Sequence, residues 1–173
     1  RRMVGEQEDV FYYISVMNES YSQPGMKPGQ EEGIIKGMYL LQEGERALPH
    51  RVQLLGSGAI THEMLSAVEL LKEDWNVAAD IWSVTSFTMV AREGHEIARW
   101  NMMHPEETPK VPYASECLAK TDGPIIAATD YVRLFAEQIR AYIPEGRSYT
   151  VLGTDGFGRS DTRANLRRFF EID

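Results

Sequence analysis

The amino-acid sequence predicts an α/β domain built on a mostly parallel sheet with helices on both faces. Short apolar runs of strand length recur at 51–58, 78–84, 123–130 and 148–153, and segments with helical character follow three of them. An order of strand, helix, strand, helix is typical of parallel strands joined by crossover helices. With 173 residues, 43% of them hydrophobic, the chain can bury one ordinary core and part of another.

The first strand is expected near the beginning of the chain. Residues 10–17, VFYYISVM, form a β-branched and aromatic run that is typical of a buried strand. The next segment, NESYSQPGMKPGQEEG, carries two prolines and three glycines among polar residues. We therefore expect an irregular crossing segment and a domain boundary at this point.

The central part of the chain alternates regularly between the two kinds of element. RVQLLGSG at 51–58 predicts an apolar strand that ends in glycines, and AADIWSV at 78–84 predicts a second strand. Between them, apolar residues recur at helical spacing and predict one buried helix face, formed by Ile60, Met64, Ala67, Val68, Leu71 and Trp75.

A third strand and its helix follow a long excursion, residues 85–122. The strand is predicted at 123–130, and Asp130 is placed to cap a helix that Pro144 ends. The predicted inward face of this helix consists of Tyr131, Leu134, Phe135, Ile139 and Tyr142.

The fourth strand, SYTVLG at 148–153, precedes a glycine-rich loop and a last helix. We expect this helix to begin at Ser160 and Asp161, with the Asp161 carboxylate at the positive end of the helix dipole.

Composition excludes several classes of protein. The formal net charge of -8 and pI near 5.1 disfavour nucleic acid and anionic membranes as partners. The one cysteine, Cys117, cannot form an intramolecular disulfide and fits a reducing cytosol. No apolar stretch approaches about 18 residues and no secretion leader is visible, so we expect no membrane association and a cytoplasmic location. Because the chain starts at Arg1 without a methionine, we expect it to be a fragment.

The loop VLGTDGFGRSDT, residues 151–162, has the context of a phosphate-binding loop because it follows a strand and precedes a helix. Neither common phosphate motif fits. A Walker loop needs lysine where this chain has Arg159, and a Rossmann loop needs glycine where it has Asp161. The loop is therefore either an anion site or a strand-to-helix turn that uses positive φ angles at its glycines.

The remaining reactive residue types form no recognisable catalytic set. Cys117 lies in ASECLAK, which is typical of a half-buried helix, and it has no histidine nearby in sequence. The chain contains neither H-E-x-x-H nor G-x-S-x-G, which disfavours a zinc hydrolase and a serine hydrolase. Structural or solvent-facing roles are favoured for the four histidines, of which His104 is the first to mutate; the four are His50, His62, His95 and His104.

The chain resembles the homodimeric pyruvate dehydrogenase family, the thiamine diphosphate-dependent decarboxylating component of the bacterial pyruvate dehydrogenase complex. The resemblance covers nearly the whole chain and rests on stretches such as YYISVMNESYSQPGM, DIWSVTSFTMVAREG, RWNMMHPEETPKVPY and VLGTDGFGRSDTRANLRRFFEID. It implies the transketolase arrangement, in which a pyrophosphate domain, a pyrimidine domain and a smaller C-terminal domain form each subunit. By this resemblance, residues 1–20 end the pyrimidine domain, 21–50 form a linker, and 51–173 form a C-terminal domain that lacks its last part.

The resemblance also implies an activity for the full-length enzyme. Thiamine diphosphate held by magnesium attacks pyruvate, carbon dioxide leaves, and the two-carbon unit passes to the lipoyl group of dihydrolipoyl acetyltransferase. The expected assembly is a homodimer. The diphosphate signature of thiamine enzymes is Gly-Asp-Gly, whereas this chain has only Thr-Asp-Gly at 121–123 and 154–156. No catalytic, cofactor or metal residue is therefore carried over, and the isolated segment is expected to bind no cofactor and to be inactive.

Four residues of the family motifs are candidates for an interface or an anion site: Asp155, Phe157, Arg159 and His104. An aromatic side chain beside an arginine suits an interface anchor. Two alternatives stay open. The first is a regulatory or partner-binding module of the same complex, and the second is another transketolase-like enzyme that acts on sugar phosphates.

Overall fold

A computed structural model describes residues 1–14, 16 and 20–172. Within these residues one sheet is formed, in the order β1-β3-β2-β4-β5. The ladders β2–β3, β2–β4 and β4–β5 are parallel, and the edge strand β1 runs antiparallel to β3. The predicted mostly parallel α/β sheet is therefore confirmed. The strands are β1 (Tyr39–Gln42), β2 (His50–Gly56), β3 (Val77–Ser83), β4 (Ile125–Ala128) and β5 (Tyr149–Leu152).

Helices cover both faces of the sheet. Because neighbouring side chains of a strand point to opposite faces, Leu54 and Leu55 of β2 lie in two different cores. The Leu54 core is covered by α2 and by Ile172, just past α6, and the Leu55 core by α3, α4 and α5. The helices are α1 (Glu31–Lys36), α2 (Ile60–Trp75), α3 (Phe87–Met103), α4 (Tyr113–Leu118), α5 (Arg133–Glu137) and α6 (Arg163–Phe170).

The strand predicted at 10–17 is wrong for the residues that the structure describes. Residues 10–14 and 16 form no regular structure, and Phe11 and Tyr13 are 89% and 91% exposed. Ser15 and Met17 lie outside the described residues. The composition was that of a strand, but a strand also needs a neighbour with which to exchange hydrogen bonds, and no described strand pairs with this segment.

Two elements lie within residues 21–50, the segment predicted as a linker. Helix α1 ends at Gly37, whose φ of 102° is readily adopted by glycine, and β1 then enters the sheet as its antiparallel edge. The strand is only four residues long, and its register with β3 is interrupted between Leu40 and Gln42. The sequence therefore shows no alternation of apolar and polar residues there. The division into domains at 20 and 50 stays a prediction.

The predicted helices form, but several of their details differ. In α2, Ile60, Met64 and Val68 are buried, whereas Trp75 in the last turn is 71% exposed. The excursion at 85–122 contains two further helices, α3 and α4, and the predicted helical character of the segment around Cys117 is confirmed.

The predicted cap of one helix and the predicted start of another were wrong. Helix α5 begins at Arg133 after Val132, and no side chain caps it, so Asp130 is not its cap. The cap of α6 is Thr162, whose hydroxyl accepts a hydrogen bond from the Asn165 N–H, and Asp161 lies one residue earlier. Sequence pattern locates a helix end to within two to four residues, and local hydrogen bonding decides which polar residue serves it.

The inward face predicted for the helix after β4 is only partly buried. Ile139 and Tyr142 are buried, whereas Tyr131 and Leu134 are 66% and 73% exposed. The helix is short, and the chain continues through a single 3-10 turn at Arg140–Tyr142, so the assumed helical spacing does not hold over the whole segment.

Candidate functional site: the carboxyl edge of the sheet

The loops that follow β2, β4 and β5 meet at one edge of the sheet, because parallel strands end on the same side. The connection after β2 leads to β3 on one side, and the connection after β3 returns to β4 on the other side, so β2 and β4 flank the topological switch point. Here the Ser57 hydroxyl donates to the Thr129 hydroxyl at 3.2 Å, and the Ser57 N–H donates to the Ala128 carbonyl at 3.4 Å. Open α/β sheets bind ligands at such edges.

The glycine-rich loop after β5 is pressed against the loop after β4. A Cβ atom on Gly153 would lie 2.8 Å from the Tyr131 carbonyl oxygen and 2.9 Å from the Arg133 nitrogen. The Thr154 N–H donates to the same Tyr131 carbonyl at 2.9 Å. Gly156 has a φ of 101°, which a side chain would strain. Two of the three glycines are therefore explained by the turn itself.

Asp155 locks this loop to the start of α5. Its carboxylate accepts hydrogen bonds from the Arg133 backbone N–H at 2.9 Å and from Arg133 Nε at 2.6 Å. These hydrogen bonds, with the positive charge of the guanidinium, lower the pKa of the Asp155 carboxyl below its ordinary value. Asp155 thus attaches the base of the loop to the first residue of α5, although the two are far apart in sequence.

The tip of the loop presents an aromatic ring to solvent. Phe157 is 96% exposed, and the Arg159 guanidinium lies over the ring of Phe169, with 4.2 Å between its carbon and the ring centroid. A cleft of about 560 Å³ lies between the loop and the end of α6, lined by residues 153–159 and 169–171. Phe157 and Arg159 are therefore held out on a fixed base, which is a suitable arrangement for contact with a macromolecule.

A second cleft, of about 610 Å³, adjoins the clamp between α2 and the end of α6. Its walls include Met64 and Leu70 of α2 and Leu152 of β5. Its polar side chains are Thr129, Arg133, Asp155, Glu63, Ser66 and Glu171. Hydrogen bonds or ion pairs within the fold engage Thr129, the Arg133–Asp155 pair, Glu63 and Ser66. The cleft offers an apolar surface, without a nucleophile next to a base.

The described residues do not fit a magnesium–diphosphate group. A magnesium site needs oxygen ligands that are free to turn toward the ion. In the second Thr-Asp-Gly segment, the Asp155 carboxylate is already bound to Arg133. Over residues 1–14, 16 and 20–172, no three His, Cys, Asp or Glu side chains gather as a possible ion site.

His104 lies away from the loop, just past the other end of α3. This helix begins at the carboxyl edge of the sheet and has 17 residues, so at 1.5 Å per residue its far end is about 25 Å away. The His104 ring stacks on Trp100 at 4.4 Å between centroids, and its Nδ1 lies 2.8 Å from the Trp100 carbonyl oxygen. The Lys110 ammonium lies 3.8 Å from the same Trp100 ring centroid. These contacts support a structural role for His104 in fastening the segment that follows α3.

Cys117 lines a third cleft, at the amino ends of the strands. It is half-buried in α4, and burial raises the pKa of its thiol, which keeps the thiol protonated and poorly nucleophilic. The same cleft contains a buried polar network that sequence reasoning missed. Asp80 of β3 accepts hydrogen bonds from Arg51 at 2.5 Å, Gln53 at 2.6 Å and the Gly44 N–H at 2.7 Å.

Sequence reasoning also missed Arg133. Its partner Asp155 is 22 residues away, and the only signal was that both follow parallel strands, whose carboxyl ends share one edge. Among the described residues, none of the helices has the length and apolar character needed to cross a membrane.

Comparison with known proteins assigns the domain. The family model described as the transketolase-like TK C-terminal domain matches residues 37–173. The whole chain is 56% identical to the pyruvate dehydrogenase E1 component of Pseudomonas aeruginosa, of which it covers 20%. It is 54% identical, over 99% of its length, to the pyruvate dehydrogenase E1 component of Escherichia coli K12, of which it covers 19%. The chain thus spans about a fifth of the length of these curated relatives.

A solved structure agrees with this assignment at the level of the fold. The transketolase from Leishmania mexicana superposes with a TM-score of 0.50 at 19% identity, over 82% of this chain and 17% of that one. Identity this low supports the fold alone. The family-model match, by contrast, covers most of the chain and includes every strand of the described sheet. The chain therefore belongs to the transketolase-like C-terminal domain family.

Proposed function

We propose that this chain is the C-terminal domain of a pyruvate dehydrogenase E1 component. The observation that carries the proposal is the similarity over the whole chain, 56% identical to a protein about five times as long. The complete enzyme would use thiamine diphosphate and magnesium to decarboxylate pyruvate. It would then transfer the two-carbon unit to the lipoyl group of dihydrolipoyl acetyltransferase, as a homodimer in the cytoplasm.

Within that enzyme the role of this domain is structural, and it supports assembly. Its candidate charged groups are engaged in the fold, as the Arg133–Asp155 clamp shows, and its cysteine thiol is protonated. The reactive carbon and the metal would then be held by the rest of the enzyme. What this domain contributes is a rigid surface at the carboxyl edge of the sheet.

Phe157 is the proposed anchor of that surface. A phenylalanine that is 96% exposed gains a large apolar area on association, and the clamp at Asp155 reduces the ordering cost because the base of the loop is already fixed. Arg159 lies beside it on Phe169, so the surface combines an aromatic ring with a guanidinium. This combination is enriched at the centres of protein interfaces.

The activity is tested first on the full-length enzyme. We expect a subunit several times heavier than the 19.7 kDa of this chain and release of carbon dioxide from pyruvate that depends on thiamine diphosphate and magnesium. Turnover of sugar phosphates without pyruvate decarboxylation would instead support the alternative of another transketolase-like enzyme.

The assembly role is tested by Phe157→Ala in the same full-length enzyme. Loss of a central anchor weakens association by about 2 kcal/mol, so the dimer dissociation constant measured by analytical ultracentrifugation should rise about 30-fold. Activity per assembled dimer should not change. The matched control is Met102→Ala, since Met102 is 69% exposed at the far end of α3. Equal dimer affinity in wild type and Phe157→Ala would contradict the assembly role but leave the proposed activity intact.

The partner-binding alternative is tested by asking whether the glycine-rich loop at the carboxyl edge of the sheet binds an anion. Arg159 and the neighbouring cleft of about 560 Å³ are the features that an anion could use. Thermal-shift titrations with phosphate, nucleotides and acetyl-CoA should leave the melting temperature unchanged if the loop serves assembly. A saturable increase that Arg159→Ala abolishes would favour the regulatory module.

A further inference from the structure

Tyr21 lies in a socket formed by two helices that are distant in sequence. Its ring stacks on the His62 ring of α2, with centroids 5.1 Å apart and an angle of 24° between the planes. Its hydroxyl oxygen lies 2.6 Å from a guanidinium nitrogen of Arg163, at the start of α6, which donates the hydrogen bond. The Arg163 guanidinium also lies 5.9 Å from the Tyr21 ring centroid. Tyr21 therefore contacts one helix through its face and the other through its hydroxyl.

Tyr21 is more buried than the residues around it. Among the described residues of 11–29, Tyr21 is the one that is half-buried, and the others are exposed. This segment joins the exposed apolar residues at 11–14 and 16 to α1, which packs beside the sheet. An exposed irregular segment moves freely unless it is attached to the domain. The end of this segment is attached through Gln30, whose side chain accepts a hydrogen bond from the Lys27 N–H and donates one to the Leu40 carbonyl. Its start is attached through Tyr21.

The socket itself is held together beside Tyr21. Glu63, the residue after His62, pairs with Arg167 of α6 at 2.7 Å, one helical turn beyond Arg163. Ile172, just past α6, packs against the α2 side of the core. The two walls of the socket are therefore fixed to each other, and the Tyr21 ring adds a third contact between them.

We infer that Tyr21 anchors residues 20–29 as a strap across the carboxyl edge of the sheet. The anchor fixes where the strap leaves the domain, and it stabilises the first turn of α6, into which the glycine-rich loop leads. The strap and the loop that carries Phe157 are thereby coupled through Arg163. The coupling depends on contacts within this chain, so it holds whichever activity the complete protein has.

The test uses the full chain with Tyr21→Ala, Tyr21→Phe and, as the matched control, Tyr13→Ala, because Tyr13 is 91% exposed. Hydrogen–deuterium exchange is measured at the amides of residues 166–170, and cleavage by a nonspecific protease is measured within residues 20–29. We expect Tyr21→Ala to speed both about fivefold, since it removes a ring stack and a hydrogen bond to a charged group. Tyr21→Phe keeps the stack and should speed them about twofold.

His62→Ala gives an independent measurement, because it removes the other half of the stack and leaves the Tyr21 hydroxyl in place. It should speed strap cleavage about two- to threefold, less than Tyr21→Ala, because the hydrogen bond from Arg163 stays in place, and adding it to Tyr21→Ala should change little more. Exchange at β2 serves as the internal reference and should not change. The inference is overturned if Tyr21→Ala behaves like Tyr13→Ala, or if exchange at β2 rises as much as exchange in α6.

Discussion

Replacing Gly94 with alanine tests how tightly α3 packs against the ring of Tyr142. A Cβ atom at this position would lie within 2.6 Å of three ring carbons of Tyr142, far inside normal contact. The Tyr142 ring is 6% exposed, and its backbone carbonyl accepts a hydrogen bond from the Ser115 hydroxyl at 2.7 Å. The ring thus has little freedom to move away from an added methyl group.

Two effects of opposite sign decide the size of the change. Alanine is favoured over glycine inside a helix by about 1 kcal/mol. Overpacking of a buried site costs about 1–3 kcal/mol, and three short contacts with a rigid ring place this site at about 3 kcal/mol. The expected net effect is a loss of about 2 kcal/mol in the free energy of unfolding, or about 4–8 °C in melting temperature for a chain of this size.

Urea unfolding followed by tryptophan fluorescence measures this change, with Glu96→Ala as the control on an exposed position of the same helix. The control should stay within about 0.5 kcal/mol of the wild type. In a Tyr142→Leu background the ring is gone, so Gly94→Ala should there be neutral or stabilising. If Gly94→Ala is at least as stable as the wild type, the close packing of α3 on Tyr142 is refuted.

Two further predictions concern charged pairs. Because Arg133 lowers the pKa of Asp155, the pair stabilises the fold above the ordinary Asp value of about 3.8, and this stability is lost as the pH falls toward the folded-state pKa. As the pH falls from about 5 to about 2, the free energy of unfolding should therefore fall less in Asp155→Asn than in the wild type, as measured by urea unfolding at each pH. If the two free energies fall in parallel with pH, the clamp is contradicted. Asp80→Asn should lower the free energy of unfolding by about 3 kcal/mol, measured by thermal or urea unfolding. The change leaves Arg51 without its buried counter-charge and sets an amide NH₂ against that of Gln53. A loss under about 1 kcal/mol would show that the network is dispensable.

The central strands were predictable because they are buried on both faces. A strand covered by helices on both sides is mostly apolar, so the apolar residues of β2 and β3 mark both strands, although β2 also carries the buried Gln53 and β3 the buried Asp80. The edge strand β1 was not predictable, since it is four residues long and only one of them is fully buried. The run at 10–17 failed for the opposite reason, because its composition suits a strand and its pairing partner is missing from the described sheet.

The candidate site was predictable in part. The sequence located the glycine-rich loop and left open whether it binds an anion or only turns. The structure explains Gly153 and Gly156 by close approach and positive φ, which accounts for the turn. It also separates His104 from the loop by the length of α3. Whether Phe157 and Arg159 meet a partner stays a prediction, as does the division into domains.

The sequence by itself determined the α/β class, the positions of the central strands and the family resemblance, because hydrophobic periodicity and motif residues are local properties that can be read along the chain. Only the tertiary structure decided the pairs that matter at the carboxyl edge: Arg133 with Asp155, and Tyr21 with His62 and Arg163. Their members are tens of residues apart or more, and nothing in local propensity links them. They meet because parallel strands deliver their following loops to one edge, and because α6 returns across α2 to close it.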